Sequence, residues 1–257
     1  MFWITKKRVN SWFDDKKIFF ILAIGRSGTF FFYHLLNKAK YTHVVHEPVK
    51  SDNRSYEEAF FNEKKAFRYF KNFRKKEIFL RCKNEDFKTY GEVNSVLRRH
   101  CNAIKEVFPN AVIFHLVRDG RDVVRSMMAR KTMLRGDRNT KRIKPPKSNP
   151  WYDKWDTMNR FERLCWYWDV ENRYMIENID RIIYFEKLLS DYDYFNKNLL
   201  EPLNLEITKE TWENEISAPK NITKKHAIPR WNEWCPEKLK SFYEICGETM
   251  QVLGYKV

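Results

Sequence analysis

Two short stretches put cations and hydroxyls where the chain turns from an apolar run into a helix. The first, Gly25-Arg26-Ser27-Gly28-Thr29, follows IFFILAI (18–24) and leads into FFFYHLL. Such a corner offers unpaired backbone N–H groups and the positive end of a helix dipole, a seat for an anion. Its glycines let the backbone approach, Ser27 and Thr29 add hydroxyl donors, and the Phe30 N–H lies just beyond. A nucleoside-triphosphate loop needs a lysine directly after its last glycine. Here Thr29 and Phe30 follow Gly28, and the cation, Arg26, stands two places before it. The pattern points to a phosphate held without magnesium.

The second stretch, VIFHLVRDGRDVVRSMM, ends another apolar run on Arg118 and places Ser126 eight residues later, in the following helix. Parallel α/β sheets bind ligands beyond the carboxyl ends of their strands. Two anion-ready corners on that edge imply one ligand with phosphates at two positions. The alternative makes Arg118 and Asp119 a surface ion pair.

The elements that must position these residues follow from hydrophobic periodicity. Residues 18–24, 41–48, 77–83, 110–119 and 181–188 are expected as strands. Helices are expected over 29–38, 55–73, from Glu92 through Phe108, from Arg121 through 130, over 157–178 and over the C-terminal stretch closed by Gly254. Strands alternating with helices predict a three-layer α/β sandwich with a central parallel sheet of about four to five strands. The segment 130–150, basic and proline-bearing, is too long for a plain connector and is expected to be a lid or acceptor-binding insertion, extending to 156.

The chain has 257 residues, is 43% hydrophobic and carries no Gly/Ser/Pro-rich linker, so a single domain over 1–257 is expected. Its 49 Lys+Arg against 34 Asp+Glu give a net charge of +15. That surface draws nucleotides, nucleic acid, acidic glycans or lipid head groups, or serves solubility alone. The five cysteines show no C-x-x-C pair and no histidines at zinc spacing, so neither a disulfide framework nor a metal site is indicated. The N-terminal stretch lacks the apolar core of a signal peptide, and no apolar run reaches membrane-spanning length. A cytoplasmic protein is expected.

At the two corners the sequence resembles the sulfotransferases that use 3'-phosphoadenosine 5'-phosphosulfate (PAPS), a family with a P-loop-NTPase-like fold. Arg26-Ser27-Gly28-Thr29 is similar to the family's 5'-phosphosulfate loop. Arg118 through Ser126 is similar to its 3'-phosphate motif, in which the arginine and the serine hold the phosphate. IIYFEKLLSD resembles a junction that commonly reads Tyr-Glu-Asp-Leu, and the C-terminal stretch resembles the closing helix down to its Leu-Gly-Tyr. KKHAIPRW (224–231) loosely resembles the basic, glycine-bearing segment that closes over the 3'-phosphate; His226 and Pro229 replace glycines, and Lys224 and Lys225 are the further phosphate contacts it offers.

The resemblance implies PAPS as co-substrate, no metal, and transfer of a sulfuryl group to a hydroxyl or amine. Such a site must neutralise the leaving phosphate and take a proton from the acceptor. Arg26 and the loop N–H groups suit the first task. For the second, HVVHEPV offers His46 and Glu47. A Glu-Pro pair at this point includes the base in many members, which favours Glu47; His46 is the rival, because an imidazole titrates near neutrality. Lys83, placed after the expected third strand, matches a family lysine that bridges sulfuryl oxygens and acceptor, or is a solvated lysine. His115, inside an apolar run, is expected in the core.

Trp151, Tyr152 and Trp155, with Trp166, Tyr167 and Trp168, flank or follow the basic segment. Aromatic faces suit sugar rings or flat cations, although Trp166 and Trp168 are expected in the core. The expected partner is a small-molecule, lipid or glycan acceptor and not nucleic acid. Two other functions stay open: a kinase-like nucleotide-dependent phosphotransferase and a non-catalytic polyanion-binding protein.

Overall fold

A computed structural model describes residues 5–134, 137, 142–218 and 225–257. Its centre is β1 (Lys17–Ala23), in which Ile18, Phe20 and Leu22 point to one side of the sheet and Phe19, Ile21 and Ala23 to the other. A strand apolar on both faces must be covered on both, as parallel sheets are. Four parallel strands join it: β2 (Thr42–His46), β3 (Thr89–Asn94), β4 (Val112–Val117) and β5 (Arg181–Tyr184), in the order β2-β3-β1-β4-β5. The expected three-layer sandwich with a parallel sheet is present, with five strands.

On one face lie α1 (Lys6–Phe13), α4 (Glu63–Tyr69), α5 (Lys75–Cys82) and α6 (Cys101–Val107), packed through Phe13, Phe70, Phe79 and Ile104. The other face carries α2 (Thr29–Leu36) and α9 (Phe185–Ser190), packed through Phe32, Leu35 and Leu188. A third cluster gathers α7 (Gly120–Met128), α8 (Arg160–Asn178) and the C-terminal helix Pro236–Val252 around the fully buried Trp166 and Trp168, as expected of those tryptophans. His115 is likewise buried, its Nε2 2.9 Å from the Asn172 side-chain oxygen. No described helix is long and apolar enough to cross a membrane.

Three expectations are corrected. The strand expected over 181–188 ends at Tyr184, and Phe185 opens α9. The helix expected over 55–73 is two helices, α3 (Asp52–Phe61) and α4, because Asn62 takes an extended conformation (φ −153°) and caps α4 by accepting a hydrogen bond from Lys64 N. Residues 77–83, expected as a strand, belong to α5: Ile78, Phe79 and Cys82 are buried at helical spacing among good helix formers. The true third strand is TYGEVN, expected in part as the start of a helix, and all six of its residues are buried. Its polar side chains are paired internally. Glu92 takes Arg74 Nη2 at 2.5 Å and the Tyr90 hydroxyl at 2.9 Å, and Asn94 donates to Glu92 at 2.7 Å. Lys83 is therefore exposed at the end of a helix that leads into the amino end of β3, at the sheet edge opposite the two corners. It does not follow the third strand, and the strand's carboxyl end carries Asn94-Ser95 instead.

Gly91 of β3 pairs in register with Phe19 of β1, and a Cβ on it would lie 2.0 Å from the Phe19 ring, which is itself fully buried. Overpacking of this kind costs about 1–3 kcal/mol. Gly91→Ala is expected to lower the thermal midpoint, read by circular dichroism, by roughly 2–4 °C for each kcal/mol. A midpoint equal to that of the wild type would mean that the ring has room to move.

Candidate active site

The carboxyl ends of β1 and β4 are neighbours, and the corners that follow them touch. In the first corner Arg26 sits at φ 78° and Gly28 at φ 90°. A Cβ on Gly28 would meet Phe185 Cε2 at 2.1 Å, so only glycine fits beneath the ring that opens α9. Ser27 is fully buried, and its hydroxyl has no hydrogen-bond partner among the described residues.

From the second corner, Arg118 Nη1 donates to the Arg26 carbonyl at 3.1 Å, and its guanidinium stands 4.6 Å from the centre of the Phe185 ring. Arg26 Nε in turn donates to Ser126 Oγ at 3.0 Å. Burial, followed by the charges of Arg130 and Arg118, holds the Arg26 guanidinium below its ordinary range. The carboxylate paired with Arg118, Asp122, is 3.9 Å away. Asp119 pairs with Arg121 at 2.6 Å and caps α7 by accepting from Arg121 N at 2.9 Å, so the Arg118–Asp119 surface pair is not formed. The Asp119 N–H donates to Glu186 Oε1 at 2.8 Å, and Tyr255 OH donates to Glu186 Oε2 at 2.9 Å. The Phe-Glu junction and the Leu-Gly-Tyr tail thus lock the second corner together.

The segment 225–231 lies against α7, with Arg125 Nε donating to the Ile228 carbonyl at 3.3 Å. Burial and the nearby charges of Arg125 and Arg118 hold the His226 imidazole below its ordinary range. Lys225 on this segment is exposed, and Lys224 lies outside the described residues.

β2 ends at His46, whose Nε2 is 3.0 Å from Thr29 Oγ1 and 3.9 Å from Glu47 Oε1. Burial is the main cause that holds this imidazole below its ordinary range. Glu47 has φ 44°, and its side chain is 33% exposed. Its Oε1 accepts from Ser95 N at 3.2 Å and closely from Ser95 Oγ. Ser95 Oγ lies 3.7 Å from where a Cβ on Gly25 would stand, so the β1 corner, the β2 end and the β3 end meet. Arg26, Ser27, Gly28, Thr29, His46, Glu47, Arg118 and Ser126 are thus brought to one sheet edge, and Lys83 is not. Sequence reasoning missed Ser95 and Phe185. Ser95 carries no motif of its own, whereas Phe185 lies within the stretch YFEKL.

Residues 88–209 match the sequence profile of the sulfotransferase family. No curated protein sequence matches the chain. Among solved structures the fold is similar to a sulfotransferase from Alicyclobacillus acidocaldarius, with a TM-score of 0.52 at 13% identity over 94% of this chain and 97% of that one. It is similar also to a sulfotransferase from Mycobacterium avium, with a TM-score of 0.54 at 11% identity over 97% and 82%. The profile match spans β3 through β5 and the turns and helices that carry Ser95, Arg118, Ser126 and Phe185; over this part the chain is similar to the sulfotransferase family, on a fold that it shares with these solved enzymes.

Proposed function

We propose that this enzyme transfers a sulfuryl group from PAPS to a hydroxyl or amine of a carbohydrate, lipid or small natural-product acceptor. The observation that carries the reading is the joining of the two corners through Arg118 and the Arg26 carbonyl, which makes one cleft of two anion seats. The residues present fit the donor. Ser27 holds a buried hydroxyl in need of a partner, Gly28 admits no side chain, and three arginines crowd within range of one another's charge.

In this reading the N–H groups from Ser27 to Phe30, the hydroxyls of Ser27 and Thr29, and Arg26 hold the 5'-phosphosulfate, with Gly28 giving the loop its left-handed turn beneath the Phe185 ring. Arg118 and Ser126 hold the 3'-phosphate, with Lys225 on the segment beside them. PAPS supplies an activated sulfuryl group, whose bond to the 5'-phosphate oxygen breaks as the acceptor oxygen or nitrogen bonds to sulfur. Arg26 and the backbone donors stabilise the negative charge that collects on the leaving phosphate. Glu47 takes the acceptor's proton. It is the more exposed of the two candidates, and the donors on its Oε1 keep the carboxylate aimed. His46, tied to Thr29, steadies the loop and is the alternative base.

The 130–156 insertion is proposed as the acceptor lid. In support, Arg142 pairs with the buried Glu57 of α3 at 2.5 Å, and Ile143 and Trp155 join Tyr56 of the same helix in one apolar cluster.

Adenosine 3',5'-bisphosphate at 100 times its dissociation constant is expected to stabilise the protein by about 2.7 kcal/mol, read as a thermal shift. Arg118→Ala removes a charge-assisted contact of about 1.5–3 kcal/mol and should weaken that binding roughly 10- to 100-fold. No shift in the wild type, or an undiminished one in the variant, would overturn the donor site. Steeply salt-dependent binding of heparin or DNA that the bisphosphate does not affect would favour a polyanion binder instead.

Glu47→Gln keeps the acceptor oxygen facing Ser95 but cannot take a proton. It is expected to lower kcat by about 10² to 10⁴. PAPS consumption should be followed with a panel of methyl glucoside, glucosamine and 2-naphthol, and with water as acceptor if none of these is used. If His46→Gln produces the large loss and Glu47→Gln does not, the base is the histidine.

A further inference from the structure

Because β3 lies between β2 and β1, the first residue beyond its carboxyl end stands between the proposed base and the β1 corner. Registers place His46 opposite Val93 and Leu22 opposite Asn94, so Ser95 emerges one position beyond the level of Glu47 on one side and level with Ala23, two residues before Gly25, on the other. Both of its donors go to one oxygen, Glu47 Oε1. Among the described residues Oε2 makes no hydrogen bond and is the oxygen left to meet an acceptor.

Glu47 itself is held against its preferences. A non-glycine residue at φ 44° costs about 1–2 kcal/mol, and the proline that follows disfavours helical backbone at this position. Backbone held in such a state needs surroundings that over-determine it. Ser95 is fixed from several sides. Asn94 Oδ1 accepts from Val96 N at 2.7 Å and from Leu97 N at 3.0 Å, which closes the turn around it. The Ser95 carbonyl accepts from Arg98 Nη1. Arg98 is 3% exposed and is held by Glu171 Oε2 at 2.7 Å and by the Tyr167 hydroxyl. A continuous chain of polar contacts runs from Glu171 in the middle of α8 through Arg98 and Ser95 to Glu47.

We propose that Ser95 is the positioning residue of the base, locking Oε1 of Glu47 so that Oε2 faces the acceptor, with Arg98 fixing Ser95 from behind. The inference rests on the reading of Glu47 as base, and the test separates the two. Wild type, Ser95→Ala, Glu47→Gln and the double variant are compared by PAPS consumption with the fastest acceptor of the panel above, or with water.

Ser95→Ala is expected to lower kcat roughly 10- to 100-fold, the rate equivalent of one hydrogen bond to a charged group, with KM for PAPS within about twofold of wild type. In the Glu47→Gln background the same change should cost nothing further, because an orienting contact has no effect once the base is gone. If Glu47→Gln is slow but Ser95→Ala keeps kcat within about twofold of wild type, the positioning role fails and the base stands. If Ser95→Ala slows Glu47→Gln as much as it slows wild type, Ser95 acts independently and the positioning role is overturned. If Glu47→Gln is itself as fast as wild type, the base assignment and this inference both fall.

Discussion

The hydrogen bond from Arg118 to the carbonyl of Arg26 sets the character of the whole site. It ties two strand-to-helix corners, far apart in sequence, by bringing a guanidinium to the backbone of a residue that carries another. The contact gains a charge-assisted hydrogen bond and incurs repulsion between like charges, which adds to burial in holding Arg26 below its ordinary range. An anion bound between these groups relieves the repulsion and meets donors already in place. In the proposed reading the site is thus organised for negative charge before any arrives, and a phosphate bound there would release that electrostatic stress. Phe185 completes the arrangement, packing on Gly28 and lying beneath Arg118, so the guanidinium keeps its direction while its paired carboxylate, Asp122, stands 3.9 Å away.

Such concentrated charge at the rim is supported by ionic networks beneath it. Arg74 joins Asp52, Glu77 and Glu92 in the interior, and Asn94 connects that group to the turn holding Ser95. Burial, opposed by Arg74, pushes the Asp52 carboxyl up to about 7. Arg98 and Arg99 converge on Glu171, which is fully buried, and their charges hold its carboxyl below the ordinary range despite burial. Pairs of this kind add little net stability compared with apolar packing, because desolvation offsets most of the attraction. Their geometry is nevertheless specific, since a buried charge has few acceptable positions. That is what the carboxyl end of β3 requires, because it must present one serine to one carboxylate.

The sequence made the corners legible because their glycines, arginines and hydroxyls follow long apolar runs at sheet-edge spacing. β1 and β4 were visible because both of their faces are apolar. β3 was not, since TYGEVN looks polar when its partners are unknown: Glu92 is satisfied by Arg74, Asn94 by Glu92, and the space beside Gly91 is taken by Phe19. The apolar residues of α5 supplied a false strand in its place, and Lys83 was misplaced with it. Ser95 and Arg98 were invisible for the same reason. Their roles exist only through partners distant in sequence, Glu47 and Glu171, and a serine or an arginine has no local signature of positioning.

The family profile covers 88–209, which leaves Arg26, His46 and Glu47 outside it. What binds that earlier part of the site to the matched part is physical contact. Arg118 reaches the Arg26 carbonyl, Phe185 fills the space above Gly28, and Ser95 holds Glu47. Each contact pairs a residue inside the matched region with one before it. A corner tied in this way cannot drift without unsatisfying a buried donor or opening a void under an aromatic ring. The β1 and β2 loops are thus held to the geometry of the β3–β5 half, and a chain can diverge widely in sequence while the cleft keeps its shape.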